Sequence, residues 1–284
     1  MRKPPKAHGF HLSALTVCLA VGLSGASCAR IAAQRCDIGP AAAAGRNAAT
    51  LYTLAWAPFG RSEAGWAIYE PLISGEIGGR CPAGTPGFAA AFARWQASQR
   101  LPADGVMNVD AFTRMRRIWQ DRRPFVAASR AACPSPPAEA SLAVALPSES
   151  YGGKRILLRP RALAAYRAMV AAARAQVRAL AAQPKLLTIF SAYRSPQYDD
   201  ARCAREGNCH GVVRAACSAH RTALAVDLYL GEAPGHALDS SDDVNRLSIT
   251  RGAAYRWLVA NAGRFGFVNY AFEPWHWEWV GERP

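Results

Sequence analysis

Lysine is nearly missing from this chain. Of 34 basic residues among 284, only Lys3, Lys6, Lys154 and Lys185 are lysines. The rest are arginines scattered along the sequence, and against 20 acidic residues they give a formal net charge of +14. No recognition motif accompanies them, which argues against a nucleic-acid partner. A GC-rich coding bias explains the arginine and alanine excess, and a surface this basic would still be drawn to anionic polymer at long range. Histidine is scarce too: His210, His220, His236 and His276 are the only ones beyond the N-terminal segment. No C-x-x-C pair occurs, which disfavours a thiolate zinc knuckle. Beyond the N-terminus no apolar run is long enough to cross a bilayer. Core-forming residues are plentiful: 51% of the chain is hydrophobic, enough for one or two packed domains and against global disorder.

The N-terminus has the layout of an export signal. Arg2, Lys3 and Lys6 form a positive start, residues 12–23 an apolar stretch too short to span, and Ser24 to Ala29 a small-residue cleavage region. Residues 1–29 are therefore expected to be a signal peptide, and the mature chain periplasmic or secreted. Lipid anchoring through Cys28 is the lesser alternative, because Gly25 stands where a lipoprotein signal carries an aliphatic residue. Six cysteines follow Cys28: Cys36, Cys81, Cys133, Cys203, Cys209 and Cys217. An even number in an oxidising compartment predicts disulfides. We expect at least one bond within the loop that holds Cys203, Cys209 and Cys217, with Cys81 and Cys133 as the next pair.

Residues 30–130 form an N-terminal, partly helical region. Residues 30–50 read as a small-residue leader with little structure, and 51–80 give no clear element. Phe88, Phe92 and Trp95 then fall at helical spacing, and a second helix carries Phe112, Met115 and Trp119 with Asp110 as its cap. This helix order, with Trp95-Gln96 and Leu101-Pro102-Ala103-Asp104-Gly105-Val106, resembles the peptidoglycan-binding-like domain over about 86–126. A generic helical hairpin packed on the main domain is the equal alternative. Residues 131–149, with Cys133-Pro134-Ser135-Pro136-Pro137, read as a linker. Residues 150–284 form the second domain. Its expected elements are a helix at 161–182, a strand at 185–192 and a long polar loop at 196–219. A strand at 222–230, a polar connection at 239–245, a helix at 250–262 and an aromatic strand at 275–280 complete it. Trp275, Trp277 and Trp279 alternate and so share one face, as core residues would.

Two stretches suggest chemistry. Ser218 to Asp227 places His220 and Asp227 around a short apolar run, and Phe272 to Glu278 carries Glu273 and His276. Two histidines and a carboxylate suffice for a zinc site with an open fourth position. For His220 and Asp227 to meet on one ion, the chain between them must bend. Glu273 could take a proton from the hydrolytic water and return it to the leaving amine. Arg194, at the end of the strand over 185–192, could stabilise charge on the scissile carbonyl. Each residue alone has an ordinary structural reading: a surface or core histidine, a strand-end cap, a salt-bridge partner, one arginine among many. The joint pattern outweighs those readings.

Ser191-Ala192-Tyr193-Arg194-Ser195, then Ser218-x-His220 to Ala225-x-Asp227, then Glu273-Pro274-Trp275-His276-Trp277 resembles the zinc D-alanyl-D-alanine carboxypeptidase family. That family includes the carboxypeptidases and dipeptidases of vancomycin resistance and endolysin-type L-alanyl-D-glutamate peptidases. The resemblance covers about 150–284. It implies Zn2+ on His220, Asp227 and His276, a base at Glu273, transition-state support from Arg194, and a peptidoglycan stem peptide as substrate. It also implies an α+β fold, with a small antiparallel sheet carrying the metal between helices. Two glycines usual in the family are Ala192 and Ala223 here, and Ala223 would be strained if its position needs a positive φ. The expectation is an exported zinc metallopeptidase that removes terminal D-alanine. An endopeptidase of the same fold and a non-catalytic wall-binding protein are the alternatives.

Overall fold

The computed structural model describes residues 36–207, 209 and 216–284. The expected signal segment 1–29, Cys28 and His210 lie outside the described residues. The N-terminal region opens with α1 (Ala41–Thr50). This corrects the expectation of an unstructured leader, because the alanines that made the stretch look featureless are the strongest helix formers. Asn47 on α1 is buried, donates to the Gly105 carbonyl and accepts from the Met107 N–H, both at 2.8 Å. A two-residue pair, β1 (Ala55–Trp56) with β2 (Glu63–Ala64), and α2 (Glu70–Glu76) follow. The predicted helix pair is α3 (Pro86–Ser98) and α4 (Val109–Asp121), trailed by α5 (Pro124–Ala128). Asn108 rather than Asp110 caps α4, accepting from Ala111 N–H at 2.8 Å. Phe88, Phe92, Phe112 and Met115 bury themselves against Trp66, Tyr69 and, from the second half of the chain, Ala271.

Within 131–149 the chain pairs β3 (Ala143–Val144) with β4 (Leu157–Leu158). The long helix expected over 161–182 is two: α6 (Pro160–Gln176) and α7 (Arg178–Ala182), broken where Val177 turns extended. The strand over 185–192 shrinks to β5 (Ile189–Ser191), because Leu187 before it takes a positive φ of 70°. The expected loop at 196–219 begins instead with α8 (Pro196–Glu206). After it come β6 (Ala225–Leu228), α9 (Asp243–Arg251), α10 (Ala253–Asn261), β7 (Phe267–Tyr270) and β8 (Glu273–Trp279). Gly252, extended between α9 and α10, divides the helix expected at 250–262 and moves its start back to Asp243.

Four strands form an antiparallel sheet in the order β5-β6-β8-β7. One face is greasy: Val226, Trp275, Trp277 and Trp279 pack with Leu163, Tyr166 and Met169 of α6 and Tyr255 and Leu258 of α10. The opposite face carries Asp227, His276 and Glu278. The fold is thus α+β, a small antiparallel sheet with helices around it and a helical N-terminal part. Among the described residues three disulfides join Cys36–Cys81, Cys133–Cys217 and Cys203–Cys209. The short-loop bond matches expectation. The Cys81–Cys133 pair does not form, because Cys81 is bound to the start of the N-terminal region and Cys133 to the residue before Ser218. Among the described residues no helix is long and apolar enough to cross a membrane.

Candidate metal centre

The register of β6 against β8 sets Asp227 directly opposite His276. Cross-strand partners share a face, so both side chains leave the sheet on the side away from the tryptophans. His220 arrives differently. It sits on a single 3-10 turn, Ala219–Thr222, that ends at Ala223 with φ 56° and ψ 23°. That left-handed residue supplies the bend that His220 and Asp227 require, and it cuts the strand expected from 222 back to a start at Ala225. The turn is over-determined. Arg159 donates its backbone N–H to the Ala223 carbonyl at 3.1 Å and its Nε to the Thr222 carbonyl at 3.0 Å. The Thr222 hydroxyl donates to the Ala219 carbonyl at 2.7 Å.

Ligand atoms of His220, Asp227 and His276 lie within 4.8 Å of one another, all three residues buried. His220 Nε2 is 3.1 Å from Asp227 Oδ2, and His276 Nδ1 is 2.9 Å from Oδ1. The far nitrogen of each ring has its own partner. His220 Nδ1 meets the Ala192 carbonyl at 2.7 Å, and His276 Nε2 lies 3.4 Å from Glu278 Oε1. Such outer contacts fix which nitrogen faces a metal. The donor set suits a zinc-type cation with an open coordination position. No sequence spacing alone would have shown that the inward-facing atoms are Nε2 of one ring and Nδ1 of the other.

Burial and neighbouring charge pull these groups apart. Burial depresses the His220 imidazole, and Arg194 adds to the effect. Burial opposes ionisation of Asp227, yet the two histidines outweigh it and hold the carboxyl well below its usual range. Burial likewise works against charging His276, but hydrogen bonds to Asp227 and Glu278 raise it to about 9. A cation among these ligands takes the place of that proton. Glu273 at the start of β8 is pushed up, chiefly by burial with help from Asp227. Its Oε2 lies 4.0 Å from His276 Nδ1.

Arg194 points into the same cavity, a space of about 230 Å³ lined also by Glu273, Ser218 and Arg123. Its Nε lies 2.8 Å from Asp199 Oδ1, and one NH donates to Ser191 Oγ at 3.1 Å. Ser218 donates to Asp199 Oδ2 at 2.6 Å. All five expected residues therefore come together, while His236 stands apart, 3.4 Å from Asp242. Sequence reasoning missed four contributors: Asp199, Ser218, Glu278 and Arg123. Glu278 was legible, since two residues after His276 on a strand means the same face. Asp199 needed the helix α8, which Ser195-Pro196 and Gly207 announce. Arg123 had no local signal at all.

Two buried histidines and an aspartate thus form a group that could hold a metal ion, with a glutamate of raised pKa and a pinned arginine beside it. Residues 155–282 match the family model VanY, described as D-alanyl-D-alanine carboxypeptidase. One solved structure is described as "Structure of the LdcB LD-carboxypeptidase reveals the molecular basis of peptidoglycan recognition". It is 20% identical, covers 51% of this chain and 70% of that one, and superposes with a TM-score of 0.36. No curated protein matches the chain.

Proposed function

We propose that the protein is an exported zinc carboxypeptidase that removes terminal D-alanine from peptidoglycan stem peptides. The observation that carries this is the convergence of His220, Asp227 and His276, with Glu273 and Arg194 beside them, in a segment that matches a carboxypeptidase family model. His220, Asp227 and His276 would hold the ion, which supplies Lewis acidity toward the scissile carbonyl and toward water. Glu273 takes a proton from the attacking water and delivers it to the departing amine. Its raised pKa suits that two-way role, since a shuttle works best when neither state is strongly preferred. Arg194 aims its guanidinium at the oxygen that gains charge, held there by Asp199 and Ser191. Three disulfides among the described residues support an oxidising compartment, and with it the reading of 1–29 as an export signal. We also propose the division into 30–130, a linker at 131–149 and a peptidase domain at 150–284.

The test is release of D-alanine from a stem pentapeptide ending in D-alanyl-D-alanine. The zinc-loaded protein should release it, and chelated protein should not until zinc is restored. Glu273→Gln should lower kcat by roughly 10²–10⁴-fold. An apo preparation as fast as the zinc form, or full activity in the Glu273 variant, would sink the proposal. Mass analysis of digested sacculi separates loss of single alanines from cut cross-links, the outcome an endopeptidase would give.

A further inference from the structure

The N-terminal region does more than sit beside the site. The chain between α4 and α5 drives Arg123 into the interior, where it is 7% exposed. Its Nε donates to Glu278 Oε1 at 2.6 Å, and the Phe125 N–H donates to Oε2 at 3.1 Å. Arg123 is itself braced: an NH donates to Gln120 Oε1 at 2.7 Å, and the guanidinium lies 4.0 Å over the Tyr270 ring. Glu278 therefore has both oxygens taken by residues 123–125, and it is the group that faces His276 Nε2. The chain runs Gln120, Arg123, Glu278, His276, from the end of α4 to a candidate metal ligand 153 residues beyond Arg123 in sequence.

We propose that Arg123 is a positioning residue of the metal centre. By immobilising the Glu278 carboxylate it holds the His276 ring with Nδ1 toward Asp227, so the helical region is a working part of the site and not merely an appendage. This rests on the reading of His220, Asp227 and His276 as metal ligands. A planar guanidinium suits the task, because it meets the carboxylate through a fixed fork and stacks on Tyr270 at once, which an ammonium does not. Loss of an outer partner of a ligating histidine typically weakens metal binding 10–100-fold.

The full-length chain, stripped of metal, is titrated with zinc alone against a chromophoric chelator. Arg123→Ala should weaken zinc affinity by roughly 10–100-fold, and Arg123→Lys should recover part of the loss. Glu278→Gln should weaken it similarly, and the double variant Arg123→Ala/Glu278→Gln should be no weaker than Glu278→Gln alone, since both act through one ring. Should Arg123→Ala fail to fold by circular dichroism, Arg123→Lys and Gln120→Ala carry the test, each with a smaller loss of a few-fold or more. A folded Arg123 variant that binds zinc like the parent overturns the inference, as do strictly additive losses in the double variant. A parent chain that takes up no zinc overturns the metal reading and this inference with it, so the two failures are told apart by the parent.

Discussion

Ala223 sits at φ 56°, where glycine is ordinary and alanine is strained. A left-handed alanine costs about 1–2 kcal/mol. Replacing it by glycine relieves that strain but adds about 0.5–1 kcal/mol of backbone entropy and gives up about 0.8 kcal/mol for one buried methyl group. These nearly cancel, so Ala223→Gly should change stability by less than about 1 kcal/mol in a denaturant melt. Ala223→Val adds branching at a fully buried, left-handed residue and should cost about 2 kcal/mol or more. Asp199 poses the sharper question for catalysis. It holds Arg194 at 2.8 Å, while Arg194 also lies 4.0 Å from Asp227. With Asp199 neutralised, Arg194 loses its carboxylate anchor and its guanidinium would leave the position proposed for the scissile carbonyl. Asp199→Asn should therefore lower kcat by about 10-fold or more with a smaller change in KM, since a misplaced group of this kind acts on the transition state. A raised KM with kcat unchanged would place Asp199 in substrate binding instead.

The positions of β5, β6 and β8, the helix pair α3 and α4 and the bend between His220 and Asp227 could be foreseen from the sequence; the short strands β1 to β4, β7 and the helices α1, α2 and α8 could not. β8 announces itself by the alternation of its tryptophans, and that face lies in the core as their spacing foretold. The helix α8 escaped because it is polar throughout, with only Asp199 and Cys203 buried, so hydrophobic periodicity had nothing to register. Its ends were nevertheless written: Ser195 accepts from the Tyr198 N–H, Pro196 starts the first turn, and Gly207 closes it left-handed. The helix α1 escaped because alanine carries no amphipathic signal. Disulfide partners could not be read because they depend on which segments meet in space. Their energetic weights follow from the loops they close. Cys133–Cys217 spans 84 residues and Cys203–Cys209 spans 6. Loop-closure entropy assigns roughly 4–5 kcal/mol to the first and roughly 2 kcal/mol to the second. Replacing both cysteines of each pair by alanine should reproduce that order in chemical denaturation. The Cys133–Cys217 variant should also lose activity, because that bond ends one residue before Ser218, which holds Asp199. Equal losses of stability would mean that strain or residual unfolded structure outweighs loop length.

Besides the Arg123–Glu278 pair, a second buried cluster that no stretch of sequence foretells joins the helical region to the sheet domain. Arg246 of α9 is fully buried and donates to Glu63 at 3.0 Å, to the Tyr69 hydroxyl at 2.6 Å and to the Phe272 carbonyl at 2.9 Å. Tyr69 in turn donates to Glu63 at 2.6 Å. Glu63 and Tyr69 belong to the N-terminal region, and Arg246 and Phe272 to the proposed peptidase domain, so the proposed division runs through this cluster. Glu63→Ala would leave Arg246 buried without its main counter-charge and should cost about 3–5 kcal/mol. The same burial sets the alkaline limit of the fold. Tyr69, Tyr166, Tyr255 and Tyr270 are each pushed above the ordinary tyrosine value, primarily by burial. In the unfolded chain these phenols ionise near pH 10, whereas the folded chain keeps their protons. Their contribution to stability is therefore complete below about pH 10 and is lost as pH rises further, because the unfolded state then binds fewer protons than the native one. On alkaline titration these four should ionise only together with loss of native circular dichroism, in one cooperative step. Ionisation of these four in a chain that keeps its native spectrum would mean that water reaches their rings, and that the interior joining the helical region to the sheet is looser than its packing indicates.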